Sequence, residues 1–240
     1  MTKALIDGDI LVYRVGFTTQ EEAIVIAEAR MNTLIERICD ATGDEGEFDL
    51  YLTSTDHSNY RFQIYPQYKA NRKAPKPKWY EELRAHLIAE WDAKVIFGME
   101  ADDALGIAQT ADTIICTIDK DLDQIPGMHY DFVKDVVYEV SEENALRFFY
   151  YQLLMGDSTD NIPGCKGIGP KKAAAAIEGL ATAEQFEKRC LEFYEEAYGD
   201  SALEKLILYG QCLKIKRKEG EPLWLPDHLG VLKPEVSVVS

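Results

Sequence analysis

Short apolar runs in the first half of the chain, each followed by acidic residues, restrict the fold more than any other feature. They lie at 4–6, 48–53, 94–97 and 113–118. Segments with the apolar spacing of a helix lie among them, at 21–39, 78–91 and 100–108. Because strands that alternate with helices form parallel sheets, we predict an α/β fold with a mostly parallel central sheet flanked by helices.

A glycine-rich break is predicted at 43–46, after the first of these helices. The second half of the chain has a different pattern. Residues 133–140 are predicted to add one or two short strands around a turn at Asp135. After Ser141 only helices are predicted, at the following ranges: 142–154, 170–177, 183–198 and 201–214. We therefore expect three parts: an α/β core at 1–155, a helical region at 156–218 and a tail at 219–240.

The acidic residues that follow the apolar runs are expected to meet in space. The carboxyl ends of parallel strands share one edge of a sheet, and open α/β sheets bind ligands there. Clustered carboxylates need a compensating charge, and magnesium or manganese ions prefer oxygen ligands. Asp also favours turns and helix caps, but its repetition at every run makes this a poor account of the whole set. The set, read as a metal site, is Asp7, Asp9, Asp56, Glu100, Asp102, Asp103, Asp119, Asp121 and Asp123.

The overall charge balance, taken alone, argues against a nucleic-acid partner. With 26 Lys+Arg and 42 Asp+Glu the net charge is −16, whereas DNA-binding proteins usually carry a basic surface. The basic residues are concentrated, however. Residues 57–80 contain no Asp or Glu, and they interleave aromatic rings with these cations: Arg61, Lys69, Arg72, Lys73, Lys76 and Lys78. That composition is typical of segments that hold phosphates and stack on bases. A second acid-free stretch, 205–218, is equally compatible with a solvated helix face.

The cysteines and the apolar runs indicate where the protein works. The 5 cysteines are odd in number and form no C-x-x-C pair, which favours a reducing cytosol over a disulfide framework. No apolar run is long enough to span a membrane, and the N-terminus lacks the pattern of a signal peptide. We expect a cytoplasmic, monomeric protein with no membrane partner.

A glycine-rich turn at 164–170 is the most specific local signal. Its glycines permit a tight turn and a close approach of the backbone to a ligand, and Pro170 occupies the first position of a predicted helix. A helix N-terminus beside Lys171 and Lys172 predicts a phosphate-binding element that reads no base sequence. An ordinary loop between helices is the alternative.

A series of motifs between Asp7 and Ile177 resembles the 5′-nuclease superfamily, which comprises flap endonucleases, bacteriophage 5′–3′ exonucleases and the 5′-nuclease domain of bacterial DNA polymerase I. The motifs, in family order, are Asp7-Gly8-Asp9, Asp56 with Tyr60-Arg61, Tyr68-Lys69-Ala70-Asn71-Arg72, Glu100-Ala101-Asp102-Asp103, Asp119-Lys120-Asp121-Leu122, Gly156 to Gly164, and Gly167 to Ala173. Each motif alone is modest, and their common order makes the resemblance specific.

The resemblance implies a helix–three-turn–helix element that binds duplex DNA, with a potassium ion in the 164–170 hairpin, and two magnesium or manganese ions. Ligands of the first ion would be Asp7, Asp56, Glu100 and Asp102. Ligands of the second would be Asp119, Asp121, Asp157 and Asp160, with Asp103 nearby. Lys69 and Arg72 match the pair that contacts the scissile phosphate, and Asp7 and Asp102 are counted with them as catalytic. The remaining DNA contacts would be Arg61, Lys73, Lys166, Gly167, Gly169, Lys171 and Lys172.

The implied reaction is hydrolysis of a phosphodiester by metal-activated water, leaving a 5′-phosphate, in replication or repair. Substrates would be DNA with 5′ ends, flaps or nicks, or RNA–DNA hybrids. The segment between Arg72 and Glu100, where the family carries a helical arch, is short and interrupted by prolines. Threading of a 5′ strand, and the choice between exonuclease and flap-endonuclease activity, are therefore left open.

Two alternatives compete with this interpretation. Asp7-Gly8-Asp9 after a strand is also the nucleophile motif of haloacid-dehalogenase-type phosphatases, in which Asp7 would attack a small phosphate ester. That reading leaves the 57–80 segment and the glycine-rich turn without a role. A catalytically inactive DNA-binding scaffold is the other alternative, and the full set of carboxylates argues against it.

Overall fold

The computed structural model describes residues 2–43 and 47–231, and it divides into two compact units that alternate along the chain. The first unit comprises 1–63, 73–145 and 215–221, and the second comprises 64–72, 146–214 and 222–240, within those described ranges. The predicted break at 44–46 and the end of the predicted tail, 232–240, lie outside the described residues. The three-part division expected from the sequence stays a prediction.

A six-stranded sheet forms the centre of the first unit, in the order β3-β2-β1-β4-β5-β6. Its strands are β1 (Lys3–Asp7), β2 (Phe48–Thr53), β3 (Lys94–Ile96), β4 (Thr113–Cys116), β5 (Gly127–Asp131) and β6 (Val136–Val140). All neighbours pair in parallel except β5 and β6, which are antiparallel. The predicted mostly parallel α/β sheet is confirmed. Because β1 pairs with β2 on one side and β4 on the other, a ligand-binding switch point is expected beyond the carboxyl ends of β1 and β4.

Helices cover both faces of this sheet. The helices of the first unit are α1 (Gly8–Thr18), α2 (Ile24–Thr42), α3 (Tyr60–Ile64), α4 (Tyr80–Glu90) and α5 (Ala101–Ala108). Side chains of β1 alternate between two cores, with Ala4 and Ile6 packed among residues of α1, α2 and α4, and Leu5 packed with α5. This period of two is what a strand buried on both faces requires.

Two elements of the first unit differ from the sequence-based prediction. Residues after Asp7, where a turn was expected, form the first turn of α1, which Asp7 caps by accepting a hydrogen bond from Ile10 N at 3.1 Å. β5 was not predicted, whereas β6 agrees with the one or two short strands expected at 133–140. Asp135 occupies a turn between β5 and β6 with a φ of 57°, as the sequence indicated.

The second unit is mainly helical. It contains most of α6 (Glu142–Met155) together with α7 (Pro170–Ile177), α8 (Ala183–Tyr198) and α9 (Ala202–Leu213). Aromatic rings fill its core, where Tyr150 stacks on Phe186 with centroids 5.2 Å apart. Tyr194 donates a hydrogen bond from its buried hydroxyl to Leu153 O at 2.7 Å. The helix–three-turn–helix assignment within this region stays a prediction.

In the described part of the chain, no helix combines the length and the apolar character needed to cross a membrane.

Candidate active site

Asp7 lies at the end of β1, at the switch point, and is 2% exposed. One carboxylate oxygen caps α1, and the other accepts a hydrogen bond from Thr117 Oγ1 at 2.8 Å. Thr117 follows β4, so this hydrogen bond joins the ends of two adjacent strands. The fold thus places Asp7 where the alternation of strands and helices predicted a ligand site.

Several acidic side chains share the electrostatic environment of Asp7. The pKa of Asp7 is raised to about 7, chiefly by burial and also by the negative charges of Asp9 and Asp119, while hydrogen bonds from Thr117 and Ile10 oppose the shift. Burial likewise raises the pKa of Asp9, and the charge of Glu100 adds to it. These carboxylates (Asp7, Asp9, Asp119 and Glu100, the switch-point cluster) therefore repel one another in a largely buried setting.

Asp9 and Arg84 form a contact that the sequence did not reveal. Arg84 donates to Asp9 Oδ1 at 3.0 Å and to Thr53 O at 2.7 Å, and Thr53 N donates to Asp9 Oδ2 at 3.0 Å. Arg84 is buried, so its charge is held beside the switch-point cluster. Asp9 was predicted as one of the strand-end carboxylates of a metal site, and Thr117 was not noticed. The sequence signal that could have indicated a buried Arg84 was its position in α4 beside the apolar residues Leu83 and Leu87.

Residues 100–103 face different surroundings although they are adjacent in sequence. Glu100 caps α5 and is 8% exposed, whereas Asp102 lies half-buried in the first turn of that helix. Asp103 is fully buried, and its carboxylate binds both terminal nitrogens of Arg61, at 2.5 and 3.0 Å. It also accepts from the backbone N–H groups of Glu100 and Lys216, at 3.1 and 3.0 Å.

Arg61 is itself 2% exposed, so it and Asp103 neutralise each other inside the first unit. This placement corrects two of the sequence-based assignments, since it gives Arg61 no surface with which to contact DNA. It also leaves Asp103 engaged by four protein donors rather than offered to a metal ion. The pair instead fixes the start of α5, and with it the position of Glu100.

The other carboxylates assigned to metal ions in the first unit lie at its loops. Asp56 is exposed, and its pKa is lowered by hydrogen bonds from Ser58, whose backbone N–H lies 2.9 Å away. Asp119 caps a short 3-10 turn by accepting from Asp121 N at 2.9 Å, so these two carboxylates follow β4 together. Asp56 is therefore set apart from the buried cluster by its exposure, whereas Asp119 contributes to it.

Divalent cations fit the donor set of the switch-point cluster. In the described residues, no three His, Cys, Asp or Glu side chains are arranged as a finished set of metal ligands. The donors at the switch point are nevertheless hard oxygens, and they are mostly buried. Asp9 and Asp119 raise the pKa of Asp7, and Glu100 raises that of Asp9. An oxygen-preferring cation relieves that repulsion.

In the second unit, Lys69 and Arg72, the pair predicted to contact the scissile phosphate, lie beside another acidic residue, Asp160. Arg72 donates to Asp160 Oδ1 at 2.6 Å, Tyr68 donates its hydroxyl to Asp160 Oδ2 at 2.6 Å, and Lys69 Nζ lies 3.7 Å from that same oxygen. We call these four residues the Asp160 cluster. Asp157 belongs to the same loop, and its Oδ1 accepts from Thr159 N at 2.7 Å. The grouping of Asp157 and Asp160 with Asp119 and Asp121 around one ion stays a prediction.

The glycine-rich turn has the expected form. Gly169 precedes α7 as its N-cap, and Pro170 is the first helical residue. The predicted DNA-binding residues of this turn are all exposed: Lys166, Gly167, Gly169, Lys171 and Lys172. Gly164 packs so closely that an added Cβ would lie 2.3 Å from Gly156 N, and its φ of +60° also favours glycine. Lys73 is exposed as well. DNA and potassium binding here stay predictions.

Comparison with known proteins agrees with this geometry. The chain is 35% identical over 156 residues to a DNA polymerase I of Rhizobium leguminosarum, covering 55% of this chain and 15% of that protein. It is 32% identical over 148 residues to a 5′-3′ exonuclease of Bacillus subtilis (strain 168), covering 52% of this chain and 50% of the relative. The chain thus spans half or less of the length of these relatives.

A solved structure shares the fold. It is a bacteriophage T5 D15 flap endonuclease in a pseudo-enzyme–product complex with DNA and metal ions, with a TM-score of 0.61 at 18% identity, covering 89% of each chain. The family described as 5′-3′ exonuclease, N-terminal resolvase-like domain, matches residues 2–148, which include the whole switch-point cluster. The chain therefore belongs to the 5′-3′ exonuclease family, with residues 2–148 forming its N-terminal resolvase-like domain.

Proposed function

We propose that this protein is a structure-specific 5′-nuclease that hydrolyses phosphodiester bonds near 5′ ends, flaps or nicks. One observation carries the proposal: at the switch point of the sheet, Asp7 is buried among Asp9, Asp119 and Glu100, and its pKa is raised to about 7. Groups held at that position in an α/β sheet are ligand groups, and mutually repelling carboxylates bind cations.

Magnesium or manganese ions bound there would activate a water molecule and stabilise the leaving oxygen of a phosphodiester. The residues of the first unit that would hold them are Asp7, Glu100, Asp102, Asp119 and Asp121, with Asp56 approaching from its exposed loop. Arg84 and Thr53 hold Asp9 in place, and the Arg61–Asp103 pair holds Glu100 through the start of α5.

Binding of the substrate would involve the second unit. Lys69 and Arg72 offer two cations for a phosphate next to the bond that breaks, and stabilise the negative charge that develops on it. The exposed N-terminus of α7, with Lys171 and Lys172, would hold the duplex through its backbone without reading bases. A potassium ion in the 164–170 hairpin would assist that contact.

The choice of DNA as the substrate is supported by the T5 D15 flap endonuclease, whose solved complex contains DNA and metal ions. RNA–DNA hybrids are a further proposed substrate. The protein would act as a monomer in the cytoplasm. The phosphatase alternative is replaced by the family match, which covers Asp7 within a 5′-3′ exonuclease domain. Both oxygens of Asp7 also accept hydrogen bonds, which makes that carboxylate a poor nucleophile.

The test is cleavage of 5′-labelled flap, nicked and blunt duplex DNA by the purified protein, with magnesium and with EDTA. Asp119→Asn should lower kcat/KM by about 10²- to 10³-fold, and Lys69→Ala should lower it by about 10²-fold, because each removes a charge that stabilises the reaction. Asp112→Asn is the matched control for the first variant, since Asp112 is exposed and precedes the same strand, β4. It should cleave at the wild-type rate.

Magnesium-dependent release of short 5′ products, with this ranking of variants, supports the proposal, and the preferred DNA shows whether flaps or ends are the natural substrate. Binding of branched DNA without cleavage under magnesium or manganese would favour the scaffold alternative. Equal losses in Asp119→Asn and Asp112→Asn would remove the special role of the switch point.

A further inference from the structure

The glycine-rich turn at 164–170 is tightly held at its entry and open at its tip. At the entry, Gly164 is buried and its backbone packs against that of Gly156. At the tip, Gly167 and Gly169 are exposed, and an added Cβ at either position would meet nothing within 4 Å. Since the tip has no close packing at these glycines, its direction depends on the entry peptide and on the helix α7 that follows.

The peptide group between Gly164 and Cys165 is bonded at both of its polar ends. Its N–H, which belongs to Cys165, donates to Leu154 O at 2.8 Å. Its carbonyl, which belongs to Gly164, accepts a hydrogen bond from the hydroxyl of Tyr198, and no other donor to that oxygen is found among the described residues. The peptide plane therefore cannot rotate without breaking a hydrogen bond of a buried group.

Tyr198 is itself held by a second tyrosine of the same unit. It is the last residue of α8, and its ring lies 6.3 Å from that of Tyr209 in α9, centroid to centroid. Tyr209 donates a hydrogen bond to the Tyr198 hydroxyl. The pKa of Tyr209 is raised to about 12, chiefly by burial and also by Tyr198. The Tyr198 hydroxyl thus accepts from α9 and donates to the turn.

Tyr194, one helical turn earlier on α8, makes the same kind of contact with a different part of the unit. Its hydroxyl is fully buried and donates to Leu153 O in α6 at 2.7 Å. Both tyrosines therefore bond a main-chain carbonyl, but Tyr194 holds a helix of the core and Tyr198 holds the entry of the turn.

On the basis of the proposed function, we propose that Tyr198 is a positioning residue for the DNA duplex: by fixing the Gly164 carbonyl, it aims the N-terminus of α7, with Lys171 and Lys172, at the phosphates of the substrate. Tyr198 acts through the turn and not by touching the DNA. Without its hydroxyl, the buried carbonyl loses its donor, and the turn gains orientations in which the two lysines miss the duplex. The affinity for DNA then falls although no charge has been removed.

The first test measures binding of nicked DNA in EDTA, where no cleavage occurs. Tyr198→Phe should weaken binding by about threefold to tenfold, the equivalent of one hydrogen bond. The slope of log affinity against log salt should become shallower by about one counterion, because a displaced turn brings fewer lysines to the phosphates.

Tyr194→Phe is the matched control for that experiment, since it removes the same hydroxyl from the same helix. It should lower the melting temperature at least as much as Tyr198→Phe does, because Tyr194 is the more deeply buried of the two. Its DNA affinity and its salt slope should nevertheless equal those of the wild type. Equal affinities for the two variants would overturn the proposal, since a general loss of stability would then explain both.

The second test separates KM from kcat in the cleavage of nicked DNA with magnesium. The turn holds the duplex and not the reacting phosphate, so Tyr198→Phe should raise KM by about threefold to tenfold and leave kcat within about twofold. Tyr209→Phe should raise KM by a smaller factor, because it removes the hydrogen bond to Tyr198 but leaves that from Tyr198 to Gly164. This variant remains informative if Tyr198→Phe fails to fold. A fall in kcat at unchanged KM contradicts a positioning role.

A third measurement needs no DNA and distinguishes failure of this proposal from failure of the proposed function. Amide hydrogen exchange at 165–169 should be at least about threefold faster in Tyr198→Phe than in the wild type, and unchanged in Tyr194→Phe. If the wild type neither binds nor cleaves DNA, the proposed nuclease function is wrong, and the exchange rates still report whether Tyr198 fixes the turn. If the wild type cleaves DNA and Tyr198→Phe has the same KM, the nuclease function stands and only the role of Tyr198 is lost.

Discussion

The two units treat their carboxylates in opposite ways. In the first, Asp7 lies near the charges of Asp9 and Asp119, and its pKa is raised to about 7. In the second, Asp160 accepts hydrogen bonds from Tyr68 and Arg72 and is ion-paired within its own unit. The carboxylates at the switch point of the first unit therefore raise one another's pKa, whereas the charge of Asp160 in the second unit is compensated by Arg72.

A second contrast lies within the first unit. Asp103 is as buried as Asp7, yet Arg61 and two backbone N–H groups compensate its charge. Burial of an acid is thus insufficient to mark a metal ligand. The two acids differ in whether the protein itself supplies a compensating charge. We therefore expect substitutions of Asp7 and of Asp103 to have different effects on stability.

The largest expected effect belongs to the compensated acid. Asp103→Asn leaves the Arg61 guanidinium buried without its counterion, which should lower the free energy of unfolding by about 3–5 kcal/mol. Urea denaturation measures the change, with Asp112→Asn as an exposed control. The double variant Arg61→Met/Asp103→Leu should recover part of the loss, since no charge is then left unpaired. If Asp103→Asn lowers the free energy of unfolding by less than about 1 kcal/mol, Asp103 and Asp7 do not differ in the way proposed.

A smaller loss of stability is expected from substituting glycines in the 164–170 hairpin of the second unit. The loss should differ between two of them, because only one packs closely against neighbouring backbone. Gly164→Ala places a Cβ 2.3 Å from Gly156 N at a φ of +60°, whereas Gly167, at a φ of +80°, has nothing within 4 Å. We expect Gly164→Ala to cost about 2–3 kcal/mol, and Gly167→Ala only the backbone strain of about 1 kcal/mol. Thermal melting of both variants provides the comparison, and equal losses would show that close packing at Gly164 is unimportant.

The smallest effect is a pH dependence of the metal-free protein. Because the pKa of Asp7 is raised from 3.8 to about 7, the native state holds a proton that the unfolded state has lost between these values. Stability from this group is therefore present at low pH and is lost as the pH rises through about 7. In EDTA, the wild type should gain up to about 1 kcal/mol per pH unit over Asp7→Asn from pH 7 to pH 5. Parallel profiles for the two proteins would contradict the repulsion inferred at the switch point.

The sequence was informative about the fold where each element carries a clear periodicity. The runs at 48–53 and 113–118 coincide with β2 and β4, because a strand buried on both faces is continuously apolar. The helix after Asp7 was missed, because Asp7-Gly8-Asp9 indicated a turn, whereas Asp7 is the N-cap of α1. β5, with Gly127 and His129, lacks the composition of a strand and is held in place by its neighbours.

The candidate site could be located by sequence but not resolved. The convergence of acids at strand ends follows from topology, and Asp9 and Asp119 do raise the pKa of Asp7 at the switch point, but their use as a metal site stays a prediction. The different environments of Asp102 and Asp103 follow from the rotation of about 100° per residue in a helix, together with the position of Arg61. Arg61 lies 42 positions away in sequence, so no local pattern could reveal the pair. Arg84 was missed for the same reason.

The return of residues 215–221 to the first unit has a consequence for synthesis of the protein. Ile215 enters the core beside Leu5 and Leu105, Ile215 N donates to Gln124 at 3.3 Å, and Lys216 N supplies a donor to Asp103. Gly106 leaves room for this segment, since a Cβ there would lie 2.4 Å from Lys216 O. The α/β unit is therefore completed only when residues 215 and 216 emerge from the ribosome, after the helices α6 to α9 have been made. A nascent chain that ends before them lacks the last donor to Asp103, so the α/β unit matures late in translation.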